Sequence, residues 1–194
     1  MRLFDNHVTM LLPESPYGRV SEKEAYLLRR LVSGRAVYDL GAGFCGLAAW
    51  LRPYAERIVA VDKAPMPPVY GIVQVQAYFV DWAPTEPIDI ALLSWPVNHR
   101  MPGLIEILEE AGTVIYRGEN DLASACGDAG LFRYLSGREV LAHYEHDALD
   151  KHHGCLTVYG SPCAERELTP EEHRVLREPR ESWRWPLQEP EESA

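Results

Sequence analysis

No apolar run in this 194-residue chain approaches the ~20 residues that cross a bilayer. The opening MRLFDNHVTMLLPESPYG also has none of the charged-then-apolar layout of a secretory signal. A membrane partner is therefore not expected, and the chain is expected to be cytoplasmic. Positive charge is scarce too. Lys and Arg total 19 against 29 Asp and Glu, a net charge of −10, so no broad positive field awaits a phosphate backbone and a nucleic-acid partner is not expected. The four cysteines, Cys45, Cys126, Cys155 and Cys163, are scattered without a CxxC pair. In a reducing compartment they read as free thiols packed in or near the core, not as a disulfide framework. No internal repeat is visible.

What remains is ordinary material for one globular domain, 46% hydrophobic and 25% charged. The domain is placed at residues 1–165, followed by a charged, Pro-rich tail over 166–194 in which Trp183 and Trp185 are candidate anchors. β-Branched apolar runs alternate with helix-like stretches, which predicts an α/β doubly wound, mostly parallel sheet. Ser21 and Glu24 have capping-box spacing, Leu27, Leu28, Leu31 and Val32 recur at helical intervals, and Gly34 supplies a stop. Strands follow at AVYDL (36–40), RIVAVD (57–62), IVQVQAYFVD (72–81), IDIALLS (88–94) and TVIYRG (from 113). A short apolar helix holding Leu47, Ala48, Trp50 and Leu51 ends at Pro53, and APMPPVYG has too many prolines for a helix between the second and third strands. Helices are predicted at GLIEILEEA and around 121–135, and REVLAHYEHD with GCLTVYG closes a sheet of about seven strands as an antiparallel pair.

The chemistry concentrates in VYDLGAGFCG. Gly41, Gly43 and Gly46 form GxGxxG between a strand and a helix, with Asp39 two residues before the first glycine. Glycines there let a ligand approach the backbone. Asp62, about 20 residues beyond Gly41 and at the end of the second strand, can accept hydrogen bonds from both hydroxyls of a ribose. Asp81 and Trp82 end the third predicted strand on the same edge, where a carboxylate can take an adenine amino group and an indole can cover the ring.

These segments, with VAVDK, FVDW, IDIALLSWP and the closing strand pair, resemble the class I S-adenosylmethionine-dependent methyltransferases over residues 21–162. The resemblance implies a Rossmann-like fold, S-adenosylmethionine as cofactor and methyl transfer. It places the methionine part of the cofactor at Asp39, Gly41 and Gly43, the ribose at Asp62 and the adenine at Asp81. One departure lies in the glycine loop, where the family often has glycine at the position of Cys45. A second lies after the fourth strand, where base-methylating members carry Asp or Asn, two prolines and an aromatic residue but this chain has Ser94, Trp95, Pro96 and Val97. With the acidic charge, this favours a small-molecule acceptor. An activated methyl needs mainly an aligned nucleophile and, for some acceptors, a base. His99 is the candidate base, Ser94 and Trp95 are the other catalytic candidates, and Tyr17, Tyr116, Glu119 and Asn120 are candidate walls.

His143, His146, His152, His153 and Cys155 invite a zinc reading, but three-residue spacing on a strand turns His143 and His146 to opposite faces, so no metal is expected. Two alternatives to a methyltransferase stand. One is a methyltransferase-like module that binds cofactor or a partner without catalysis, and the other is a nicotinamide-dependent oxidoreductase, whose cofactor the same glycines and acid would suit.

Overall fold

A computed structural model describes residues 20, 22–97, 101–119, 126–145 and 154–162. Seven strands form one sheet in the order β3-β2-β1-β4-β5-β7-β6. They are β1 (Ala36–Leu40), β2 (Arg57–Asp62), β3 (Val73–Gln76), β4 (Ile88–Ser94), β5 (Ala111–Glu119), β6 (Arg138–Glu145) and β7 (Gly154–Pro162). The first five run parallel, and β7 inserts antiparallel between β5 and β6. Among the described residues four α-helices accompany the sheet: α1 (Glu22–Val32), α2 (Gly46–Leu51), α3 (Leu104–Glu109) and α4 (Ala129–Ser136).

Burial follows from strand alternation. On one face Leu28 and Val32 of α1 and Ala48 and Leu51 of α2 pack with Val37, Ile58 and Leu92 of the sheet. On the other, Leu104 and Leu108 of α3 and Leu131 and Leu135 of α4 pack with Val61, Leu93 and Val114. The result is three layers, helix on sheet on helix. No described helix is long and apolar enough to cross a membrane.

The predicted stops act as read from sequence. Gly34 takes a left-handed φ of 67° after α1, and α2 ends at Leu51, two residues before Pro53. Asp128 caps α4 by accepting from the Leu131 N–H at 2.8 Å. The prolines after β2 leave residues 63–71 without a helix, and Met66, Val69 and Ile72 pack along the α1/α2 face in its place. The third strand is shorter than expected. It stops at Gln76, and residues 79–81 form a 3-10 turn. The reason is its position at the sheet edge: its one neighbour, β2, ends at Asp62 opposite Gln76, and after Ala77 donates to the Asp62 carbonyl no ladder remains to extend it. Ser21, which would cap α1, and the boundary expected at 165/166 lie outside the described residues.

Candidate functional site

Chain order departs in both directions from β1, so β1 and β4 flank the switch point where parallel α/β sheets open a crevice at their carboxyl edge. The glycine turn sits there. The Gly41 and Ala42 N–H groups both donate to the Val61 carbonyl, at 2.8 and 3.2 Å, and fasten the turn to β2. Gly41 and Gly43 take φ of 81° and 54°, and a Cβ on either would meet nothing within 4 Å. These glycines thus border open space on the side where a Cβ would stand.

Cys45 closes the turn at φ 57°, left-handed for a residue with a side chain. Its thiol is fully buried, with Sγ 3.3 Å from the Met66 sulfur and 3.4 Å from Gln74 Nε2. Burial is the main cause that pushes the thiol above its ordinary pKa. The difference from the family's usual glycine therefore leaves the turn's conformation glycine-like, held by packing.

Asp39 and Asp62 lie side by side on the carboxyl edge of adjacent strands, Asp39 in register with Ala60 and Asp62 two residues beyond. Asp39 is 2% exposed, and its Oδ1 has no hydrogen-bond partner. Burial first and the neighbouring Asp62 second push its carboxyl up to about 7. Asp62 is more open. Its Oδ2 accepts from the Gly43 N–H and its Oδ1 from the Ala64 N–H, both at 2.8 Å, so it latches the glycine turn to β2 while each oxygen keeps a lone pair for another donor.

Asp81 lies at the end of the 3-10 turn, exposed, a full turn past the edge of β3. Trp82 faces the core, its ring 6.2 Å from that of Tyr38 and packed on the α3/α4 face. Tyr78, two residues past the end of β3, is 61% exposed.

At the end of β4, Ser94 is half-buried and Trp95 adopts φ 52°. The Trp95 N–H donates to the Arg117 carbonyl at 2.6 Å, and the Arg117 guanidinium lies 5.9 Å from the indole ring and donates to Ser94 Oγ at 3.5 Å. Arg117 in turn pairs with Glu24 of α1 at 2.5 Å, both side chains 1% exposed. Sequence reasoning missed this pair, although an arginine inside the apolar run TVIYRG was a signal that a buried counter-charge must exist. Tyr116 is a core residue, not a wall: it is 1% exposed and its hydroxyl donates to the Glu119 carbonyl. His99, Tyr17 and Asn120 lie outside the described residues, as do His146, His152 and His153. His143 Nδ1 is 2.8 Å from Thr157 Oγ1, and no cluster of three metal-ligating side chains occurs among the described residues.

No family model matches the sequence, and no curated protein is significantly similar to it. Solved structures are similar in fold. The N-methyltransferase NodS from Bradyrhizobium japonicum WM9 aligns with a TM-score of 0.56 at 13% identity, covering 78% of this chain and 99% of its own. The 1,6-didemethyltoxoflavin-N1-methyltransferase of Burkholderia thailandensis, solved with S-adenosylhomocysteine, gives 0.54 at 16% identity over 72% and 76%. Sp1610 of Streptococcus pneumoniae, put forward as a tRNA methyltransferase, gives 0.53 at 15% identity over 80% and 76%. The seven-stranded sheet with its antiparallel β7 gives this chain the fold of the class I S-adenosylmethionine-dependent methyltransferases.

Proposed function

We propose that the protein binds S-adenosylmethionine at the carboxyl edge of β1 and β2 and transfers its methyl group to a small-molecule acceptor. The observation that carries this reading is the orphaned, buried Oδ1 of Asp39 beside a glycine bend open to ligand, with Asp62 one strand over. A buried acceptor without a donor costs free energy until a ligand supplies one. The cofactor's methionine ammonium is such a donor, and its ribose hydroxyls suit the lone pairs left on Asp62. Gly41 and Gly43 would border the methionine part, and Asp81 remains the candidate for the adenine amino group.

The cofactor supplies a methyl already activated by its sulfonium. The chain has to bind it, exclude water and align the acceptor. Ser94 and Trp95 stand at the neighbouring strand end, and we assign them to the acceptor side together with His99 as the base. The choice of a small acceptor is supported by the net charge of −10, which opposes a polyanion, and by the absence of the base-stacking motif after β4.

A nicotinamide cofactor fits less well. The sheet order with an antiparallel strand between β5 and β6 departs from the 3-2-1-4-5-6 parallel arrangement of dinucleotide-binding enzymes, and a pyrophosphate would add further acidic groups beside the Asp39–Asp62 pair. Titration calorimetry is expected to give 1:1 binding of S-adenosylhomocysteine and no heat with NADH. Heat with NADH alone would reverse the assignment. Binding without transfer of a labelled methyl to any small molecule of a cell extract would favour a non-catalytic module.

A further inference from the structure

We propose, resting on the cofactor reading above, that the site exchanges a proton for its cation: Asp39 is protonated in the free protein near neutrality and releases that proton to solvent when the cofactor's ammonium enters. Asp39 thereby becomes the residue that selects a cationic ligand over an anionic one.

The geometry leaves little alternative home for the proton. Asp39 is 2% exposed and its Oδ1 has no partner, so an ionised carboxylate there would hold charge on a buried oxygen with neither water nor a donor. Asp62, the titratable group facing it from β2, accepts from the Gly43 and Ala64 N–H groups. From the glycine turn Asp39 is faced by the Cys45 thiol, which is buried and itself held neutral. Its register partner on β4 is Leu92, and the nearest charged groups of α1 and β5, Glu24 and Arg117, pair with each other. Two acid side chains lie side by side, and the Gly43 and Ala64 N–H groups both donate to Asp62, which favours a neutral Asp39. The raised Asp39 carboxyl agrees with this.

A cation beside Asp39 reverses the balance, because the ionised form then gains a partner and the Asp62 charge is offset. A phosphate group in the same place would deepen the repulsion and demand that the proton stay. Binding of S-adenosylhomocysteine, which keeps the ammonium and lacks the sulfonium, isolates this effect from the reacting methyl.

The test is calorimetry with S-adenosylhomocysteine in phosphate and in Bis-Tris, two buffers of different ionisation enthalpy. About 0.9 proton should be released per site at pH 6 and about half of one at pH 7, with affinity rising roughly fifteenfold from pH 5.5 to 7, below the titration of the ligand's own amine. Asp39→Asn should bind with no proton release and no pH slope. Carboxyl-labelled aspartate NMR on the wild type provides a second readout that needs no variant: one aspartate titrating near neutrality should become ionised across pH 6–7 once ligand is added. Binding at 1:1 with no proton released at pH 6, or a labelled spectrum without such an aspartate, overturns the exchange and leaves the cofactor reading intact. No binding at any pH overturns both.

Discussion

At Cys45 a single residue joins two demands that glycine and cysteine meet separately. The turn needs a left-handed backbone, which φ 57° supplies, and the α1/α2 core needs a side chain, which the buried thiol against Met66 supplies. A left-handed residue with a Cβ costs about 1–2 kcal/mol relative to glycine, whereas glycine in ordinary structure is worse than alanine by about 0.5–1 kcal/mol. The usual order should therefore invert. Cys45→Gly is expected to be about 1 kcal/mol more stable than Cys45→Ala in urea unfolding, although it has the smaller side chain. Alanine more stable than glycine would mean that the turn relaxes to another conformation. The residues that sequence alone brought forward here share a feature: Asp39, Gly41, Gly43 and Asp62 belong to one local strand-turn-helix-strand unit whose spacing fixes their neighbourhood. Glu24 and Arg117 are separated by 93 positions and meet only once α1 is laid across the sheet. Periodicity carries no information about that meeting.

Elements depend on their neighbours in the same way. β1, β2 and β4 begin and end where the apolar runs do, because both flanks are paired and both faces buried. β3 breaks that rule, since the length of an edge strand is set by its partner's end and not by its own composition. That is why Asp81 and Trp82 were legible as residues but not as positions on the edge. A second element-level device is Arg138 at the start of β6. Its buried guanidinium donates to the carbonyls of Gly160, Leu108 and Ala111 and to the Tyr134 hydroxyl, tying β7, α3, β5 and α4 together. Arg138→Met would fill the volume and leave three buried carbonyls without this donor. A loss of about 3 kcal/mol or more is expected, read as a lower urea midpoint with unchanged slope. A loss under about 1 kcal/mol would show that water or another group replaces the guanidinium.

For the whole molecule, topology decides where a ligand can sit and charge decides which ligand is welcome. The switch point between β1 and β4 lies at the carboxyl edge, while at the amino edge Arg35 pairs with Asp89 and Arg57 with Glu86 and Tyr38. A net charge of −10 surrounds a site that offers two carboxylates, so the field and the local groups both favour a cation. A ligand bound across β1 and β2 should then stabilise the entire domain, because the glycine turn, α2 and the core beneath it are one packed unit. At ligand concentrations 100 times Kd the gain is about 2.7 kcal/mol, which for a domain of this size corresponds to roughly 5–10 °C in Tm. S-adenosylhomocysteine is expected to raise Tm by that amount in the wild type. Asp62→Ala should start from a lower Tm, since the Gly43 and Ala64 N–H groups lose their acceptor, and should gain under about 2 °C at the same ligand concentration. Equal gains in the two proteins would remove Asp62 from the ligand's seat and leave it only the latch of the glycine turn.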